Sequence, residues 1–300
     1  MGRSRQSGAA LLIALVVVTL ASFLGLRLVE RAQSTVARSQ ALIDRAQVNQ
    51  LAQGMSILAE QALAEALKAQ RQHNRRLDLS QWTPPYAIPG GVVRGRLIDL
   101  GGRFNLNALF HPEPQERAHA RLVFQNLLVQ LNLNSRLSSV WLAWLDGQGP
   151  NRPNQDSVPR APMMHVSEML EWPSMDWSTY QTLSSWVSVL PTPVLSINVN
   201  ETTPNVLAAA IFLMDESQAE RFLSARPFQR REEIWSHPIM QGIDLSARER
   251  VSLVVESSWY LAEAQVSLDR SEGRVDYQAF RLISASGSGY DFRYVSQGTP

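Results

Sequence analysis

The chain has 300 residues, a formal net charge of +1, 45% apolar residues and no cysteine. That length admits one large or two modest domains, and the apolar share is enough for a folded core. Near-neutral charge excludes a protein-wide attraction to nucleic acid, and the lack of cysteine excludes disulfides, zinc–thiolate sites and thiol catalysis.

Gly8 to Leu26, GAALLIALVVVTLASFLGL, carries no charge; Arg3 and Arg5 precede it, and Arg27, Glu30 and Arg31 follow. The eighteen residues after Gly8, rising 1.5 Å each, reach about 27 Å, the lower edge of a hydrocarbon core. The expectation is a single membrane anchor with the N-terminus in the cytoplasm, where the Lys/Arg bias puts it. A secretory signal peptide would need a small-x-small cleavage site and a polar start after it. Here the helical pattern runs straight on past Leu26.

From Arg27 to about Leu77 the pattern stays helical. Leu51, Met55, Leu58, Ala62 and Ala66 recur at steps of three and four with polar residues between them, and Trp82-Thr83-Pro84-Pro85 ends the run. Val92–Leu100 alternates like a strand with Gly95 as its weak point, Gly101-Gly102 reads as a turn, and Phe104–Leu109 as a second short element. Helical patterns then cover Pro114–Leu131, Ser135–Leu145, Val166–Leu170, Asp176–Val189, Asn205–Asp215, Ser217–Ala225 and Glu232–Trp235, with a Pro/Asn/Gln/Gly-rich loop from Gly147 to Pro162. From Val251 two runs rich in Val, Tyr, Trp and Ser flank a turn at Ser271-Glu272-Gly273. No internal repeat stands out. Strands on both sides of a helical block predict one α+β domain carrying a helical insertion.

Candidate chemistry is sparse. Asn105 and Asn107, and Asn198 and Asn200, form two N-x-N pairs, which turn and capping chemistry explains best. His73, His111, His119, His165 and His237 are scattered without zinc spacing, and no nucleophile elbow is present. Trp141, Trp144, Trp172, Trp177 and Trp186 fall in helical texture and are expected in the core. Ile197 to Arg226 is similar to half of a helix-hairpin-helix DNA-binding module. Its hairpin reads Leu213-Met214-Asp215-Glu216, with two acids and no glycine, which repels phosphate.

Ser7-Gly8 directly before the apolar run resembles the processing site of type IV pilins and pseudopilins. With it, IDLGGRFNLNALF (Ile98–Phe110), VWLAWLD (Val140–Asp146), LPTPVLSINVNETTPNVLAAAI (Leu190–Ile211) and SSWYLAEAQVSLD (Ser257–Asp269) are together similar to minor pseudopilin K of bacterial type II secretion systems. The specific parts are Phe104-Asn105-Leu106-Asn107 and the segment holding Asn198 and Asn200.

The resemblance implies a leader at 1–8 cut by a prepilin peptidase between Gly8 and Ala9, and a transmembrane part of the first helix at 9–26. It implies a periplasmic part of that helix at 27–80, pilin-like strands at 81–110 and 249–300, and an inserted α-helical domain at 111–248. It further implies a place in the inner membrane, with the bulk in the periplasm, and partnership with minor pseudopilins I and J above a major pseudopilin filament. The fifth mature residue is Ile13 rather than the Glu usual in pilins, and the K family shares that departure. A subunit without this carboxylate has nothing to pair with the N-terminal amine of a subunit ahead of it, which suits a cap. The loop after Trp144 resembles a calcium site, with Asp146, Asp156, Asn151, Asn154 and Gln155 as oxygen donors. Gly147-Gln148 stands where a second acid is expected. No enzyme activity is implied. The competing reading is an anchored periplasmic nucleic-acid-binding protein using the helix-hairpin-helix-like segment.

Overall fold

A computed structural model describes residues 4–73, 78–148, 160–243, 252–270, 273–285 and 294–297. The first helix, α1 (Ser4–His73), is continuous. Residues 74–77, where the sequence pattern ends the helix, lie outside the described residues, and from Asp78 the chain is no longer helical. Residues 78–85 instead run extended along the next strands. The Leu97 N–H donates to the Leu79 carbonyl at 2.8 Å, and the Thr83 N–H to the Gly95 carbonyl at 2.9 Å. Pro84-Pro85 fits such a segment because it supplies no N–H donors.

The described side chains of α1 from Leu12 to Ile43 are exposed. Burial begins at Asp44 and continues at Val48, Leu63 and Ala66, where the helix meets an antiparallel sheet. Among the described residues, no helix is long and apolar enough to cross a membrane. The side chains of Gly8, Ala9 and Ile13 lie outside the described residues.

The sheet has the order β1 (Tyr86–Ile88), β2 (Gly91–Asp99), β7 (Trp259–Arg270), β8 (Gly273–Ser284), β9 (Tyr294–Gln297), antiparallel throughout. The alternation expected in β2 is realised: Val93, Gly95 and Leu97 are buried while Arg94 and Arg96 between them are half-exposed. Val93 clusters with Val48 of α1, and Leu97 with Leu63. Gly95 is a contact point rather than a weak one, since a Cβ there would sit 2.6 Å from the Met55 side chain of α1. On the opposite face Arg94 and Arg96 meet their register partners Gln265 and Glu263 at 2.8 and 2.6 Å. Both guanidinium groups stack on Trp82, at 4.8 and 4.7 Å.

Between β2 and β7 the chain leaves the sheet to build the insertion. Its described elements are β3 (Phe104–Asn105), a 3-10 turn (Leu106–Phe110), α2 (Pro114–Gln130), α3 (Arg136–Leu145), a second 3-10 turn (Val166–Glu171), α4 (Trp177–Ser184), β4 (Val187–Ser188), β5 (Ser196–Asn198), α5 (Pro204–Ala210), α6 (Glu216–Leu223), α7 (Arg231–Ser236), α8 (Pro238–Gln241) and β6 (Ser252–Val254). The insertion therefore begins just after Gly101 and includes β6, so it reaches past both expected limits, 111 and 248. The helix expected over Asp176–Val189 stops at Ser184, because Val187 and Ser188 pair in parallel with Phe104 and Asn105. The one expected to reach Asp215 stops at Ala210, and Leu213 then takes a left-handed φ of 68°.

One continuous core fills the insertion. Phe104, Phe124, Trp141 and Trp172 form its aromatic centre, with neighbouring ring centroids 5.3–6.2 Å apart. Of the other tryptophans expected in the core, Trp177 is exposed and stacks on Tyr180. Trp144 is half-buried under the Arg160 guanidinium, 3.7 Å from its ring centre.

Candidate functional site

The two N-x-N pairs are the best-defined polar features, and all four side chains are buried. Asn107 grips the backbone of Met163: its Oδ1 accepts from the Met163 N–H at 2.8 Å and its Nδ2 donates to the Met163 carbonyl at 2.9 Å. The same Nδ2 donates to the Leu190 carbonyl at 2.8 Å. Asn200 does the same to Phe228, at 2.8 Å in both directions, and donates to the Val255 carbonyl at 2.9 Å. The first Asn of each pair caps locally: Asn105 Oδ1 accepts from the Asn107 N–H at 3.1 Å, and Asn198 Oδ1 from the Asn200 N–H at 2.9 Å. Its amide then reaches away, Asn105 to the Thr192 carbonyl at 2.7 Å and Asn198 to the Ser257 hydroxyl at 2.7 Å.

These residues thus perform the expected turn chemistry, and they also staple segments 28 to 89 residues apart. The two pairs are used alike. Each first Asn closes a short strand paired in parallel with a later one, β3 with β4 and β5 with β6. Each second Asn bonds just beyond that later strand, at Leu190 or Val255. The insertion is therefore built on a structural repeat, although no repeat stands out in the sequence, because only the pattern F/I-N-L/V-N is common to both halves.

Gly101-Gly102 brings the halves together. A Cβ on Gly102 would lie 2.6 Å from the Glu201 carbonyl oxygen, and one on Gly101 would lie 2.1 Å from the Ser257 hydroxyl. Neither glycine needs a positive φ; the pair is required for close approach. The Asn198 N–H donates to the Gly101 carbonyl at 2.7 Å across this contact.

At the loop expected to resemble a calcium site, Asp146 follows α3 and forms a two-pronged pair with Arg121 of α2, at 2.5 and 2.9 Å. Asn151, Asn154, Gln155 and Asp156 lie outside the described residues. The described part of the set thus offers one carboxylate, and both of its oxygens face a guanidinium. Among the described residues no group of three His, Asp or Glu side chains could hold a metal.

The helix-hairpin-helix-like segment folds as α5–α6, but its turn is closed on itself. Asp215 and Gln218 form a capping box, each side chain accepting the other's backbone N–H at 2.7 and 2.9 Å. The Asp215 and Gln218 amides at this turn are already bonded.

His165 caps the second 3-10 turn. Its Nδ1 accepts from the Ser167 N–H at 3.1 Å, and Glu168 Oε1 accepts from the His165 N–H at 2.8 Å. Burial holds the imidazole pKa below its usual value, partly opposed by Glu168.

Two models of type II secretion system protein K match this chain, one over residues 102–192 and one over 197–256, together half of its length. The chain belongs to that family. The boundary between the two models falls between the two stapled halves of the insertion. Protein K of Pectobacterium carotovorum is 26% identical over 95% of this chain and 94% of its own length, and that of Pseudomonas aeruginosa 27% identical over 89% and 86%. In fold, the chain is similar to a chain of the crystallised GspK-GspI-GspJ complex of enterotoxigenic Escherichia coli. The TM-score is 0.61 at 20% identity, covering 85% of this chain and 98% of that one. Protein K is a minor pseudopilin of type II secretion, and nothing in these likenesses supports the nucleic-acid-binding alternative. Sequence reasoning missed the partners of Asn107 and Asn200, which are backbone groups of Met163, Leu190, Phe228 and Val255. No residue-type signal marks a backbone acceptor.

Proposed function

We propose that the protein caps a periplasmic pseudopilus as a structural subunit without catalytic activity, complexed with minor pseudopilins I and J above a major pseudopilin filament. The observation that carries this is where the insertion stands. Along α1 the sheet contacts advance from Val48–Val93 to Leu63–Leu97, and β2 then leaves the sheet at Leu100. The insertion therefore sits at the C-terminal end of the helix, opposite to Gly8–Leu26, where it blocks the place of a further subunit.

The apolar run Gly8–Leu26 supports an inner-membrane anchor, with Ala9 as the mature, methylated N-terminus after prepilin peptidase cuts behind Gly8. Ile13 removes the carboxylate through which a subunit would join one ahead of it. Co-purification with I and J, together with loss of pseudopilus assembly on deletion, is the expected result. No binding to I and J and intact assembly would refute the cap. Mass spectrometry of the membrane-extracted protein reads the processing directly: an uncut N-terminus in cells with active prepilin peptidase refutes the leader.

Calcium at the Asp146 loop, with Asp156 and Asn154 as further donors, would have to compete with Arg121 for Asp146. Calorimetric titration with calcium chloride tests it, and no heat at millimolar metal retires it.

A further inference from the structure

The core of the insertion is closed, yet apolar side chains stand out from its surface where α2 meets the α5–α6 turn. In that turn Phe212 and Leu213 are 56% and 79% exposed, while Ile211 and Met214 on either side of them are buried in the core. Both flanks are anchored, so the turn holds Phe212 and Leu213 outward. Leu213 sits there at a φ of 68°, a left-handed conformation that glycine takes freely and a residue with a Cβ resists. A glycine would suit this backbone better, so the leucine is not explained by the turn it occupies.

A second element adds to the same surface. Asn126 of α2 donates from Nδ2 to the Ala209 carbonyl at 3.3 Å, which fixes the end of α5 against α2. Leu122 and Val129 lie about one turn to either side of Asn126 on that helix, and they are 43% and 58% exposed. From Ala118 to Val129 the exposed positions of α2 are Ala118, Leu122 and Val129, none of them charged. Arg121 in the same stretch is held by Asp146. Leu122, Val129, Phe212 and Leu213 thus form an apolar patch drawn from two elements, which marks an interaction site where singly exposed residues do not.

Charge decides what fits over it. From Asp215 to Arg221 the chain carries three acids against one base, and all four side chains are exposed. Such a rim disfavours an anionic bilayer. It also disfavours a second copy docking by the same face, acid against acid. A protein surface that offers apolar side chains inside a basic rim is complementary to it.

We propose that this patch docks another protein, through a segment whose apolar side chains are flanked by lysine or arginine, with Phe212 and Leu213 as the anchors. The test places p-benzoyl-L-phenylalanine at Phe212 or at Leu122 of the full chain, in cells carrying the secretion genes. Gln181 of α4 is the exposed control position, and adducts formed on irradiation are sequenced by mass spectrometry. The expected result is the same polypeptide adduct from both patch positions and none from Gln181, joined through a segment with Lys or Arg beside apolar residues. With the probe at Phe212, adduct yield falls about fivefold or more in L213G, in V129S and in E216K/E220K. L213G separates contact from structure: it relieves the turn, so the melting temperature stays level or rises while the adduct is lost. The proposal is overturned if no adduct forms, if Gln181 gives the same one, or if the adduct is lipid, a second copy of this chain or an acidic segment. It is equally overturned if the yield is unchanged in L213G and V129S, two substitutions at exposed positions that leave the core intact.

Discussion

The two regions of the molecule solve the burial problem differently. The insertion encloses one continuous core with an aromatic centre and ties its loops with buried asparagines. The α1–sheet region has three small clusters instead, each joining a few helix or loop residues to a few strand residues. It also leaves α1 bare from Leu12 to Ile43, with Val16, Leu20, Phe23, Leu28, Val36 and Leu42 all more than half exposed. A folded protein rarely leaves that much apolar surface in water. The insertion is complete by itself, whereas the stem is completed only by something outside the chain.

If so, damage should fall unequally. The largest loss is expected from Phe124→Ala, which empties the aromatic centre: about 4 kcal/mol, read as a lower urea midpoint of tryptophan fluorescence. Six of the eight tryptophans lie in the insertion, so this probe reports mainly on it. An unfolding curve that also lost α1 helicity at the same midpoint by circular dichroism would break the comparison by making the regions one cooperative unit.

Next comes Asn200→Ala, which strands the Phe228 N–H and the carbonyls of Phe228 and Val255. About 3 kcal/mol is expected from several unpaired buried groups, with Asn107→Ala similar because the two staples are equivalent. A loss under about 1 kcal/mol in one and a large loss in the other would dissolve the repeat.

Gly102→Ala should cost about 2 kcal/mol, since its Cβ meets backbone at Glu201 and Thr202 rather than a yielding side chain. An unchanged melting temperature would show that the halves are not held together there.

A smaller effect is expected from pH. His165 has a folded pKa below its unfolded one, because burial disfavours the charged ring. The unfolded chain therefore binds the proton more readily. The stability this group provides is fully present above about 6.5 and is lost as pH falls through the folded pKa. Protonation also removes the Nδ1 lone pair that accepts from Ser167. Melting temperature should fall on going from neutral to mildly acid pH, and less so in H165N; an equal fall in both would remove His165 as the cause.

The smallest effect is expected from Arg121→Ala. The pair with Asp146 is partly exposed, so no more than about 1 kcal/mol is at stake, measured as a shift in urea midpoint.

The legible parts of the fold were those with local signatures. The helix at Pro114–Gln130 and the long strands β7 and β8 follow from patterns over many residues. Strands β3 to β6, at two or three residues each, leave no periodic trace and exist because they pair across the insertion. At the candidate sites, the asparagine motifs were visible as residues but not as staples.

The register of β2 and β7 has a kinetic consequence. Asp99 and Tyr260 face each other, so the whole insertion serves as the loop of a β-hairpin. While it is unfolded, closing that hairpin means bringing together residues far apart in the chain, an entropic cost that precedes any ladder bond. Once the insertion has condensed, its two ends emerge one strand spacing apart, and β2 and β7 are joined by a short, preset span. The topology thus favours an order in which the insertion condenses before β2 and β7 pair. A newly made chain would then hold its helical domain complete while β2 and β7 are still apart.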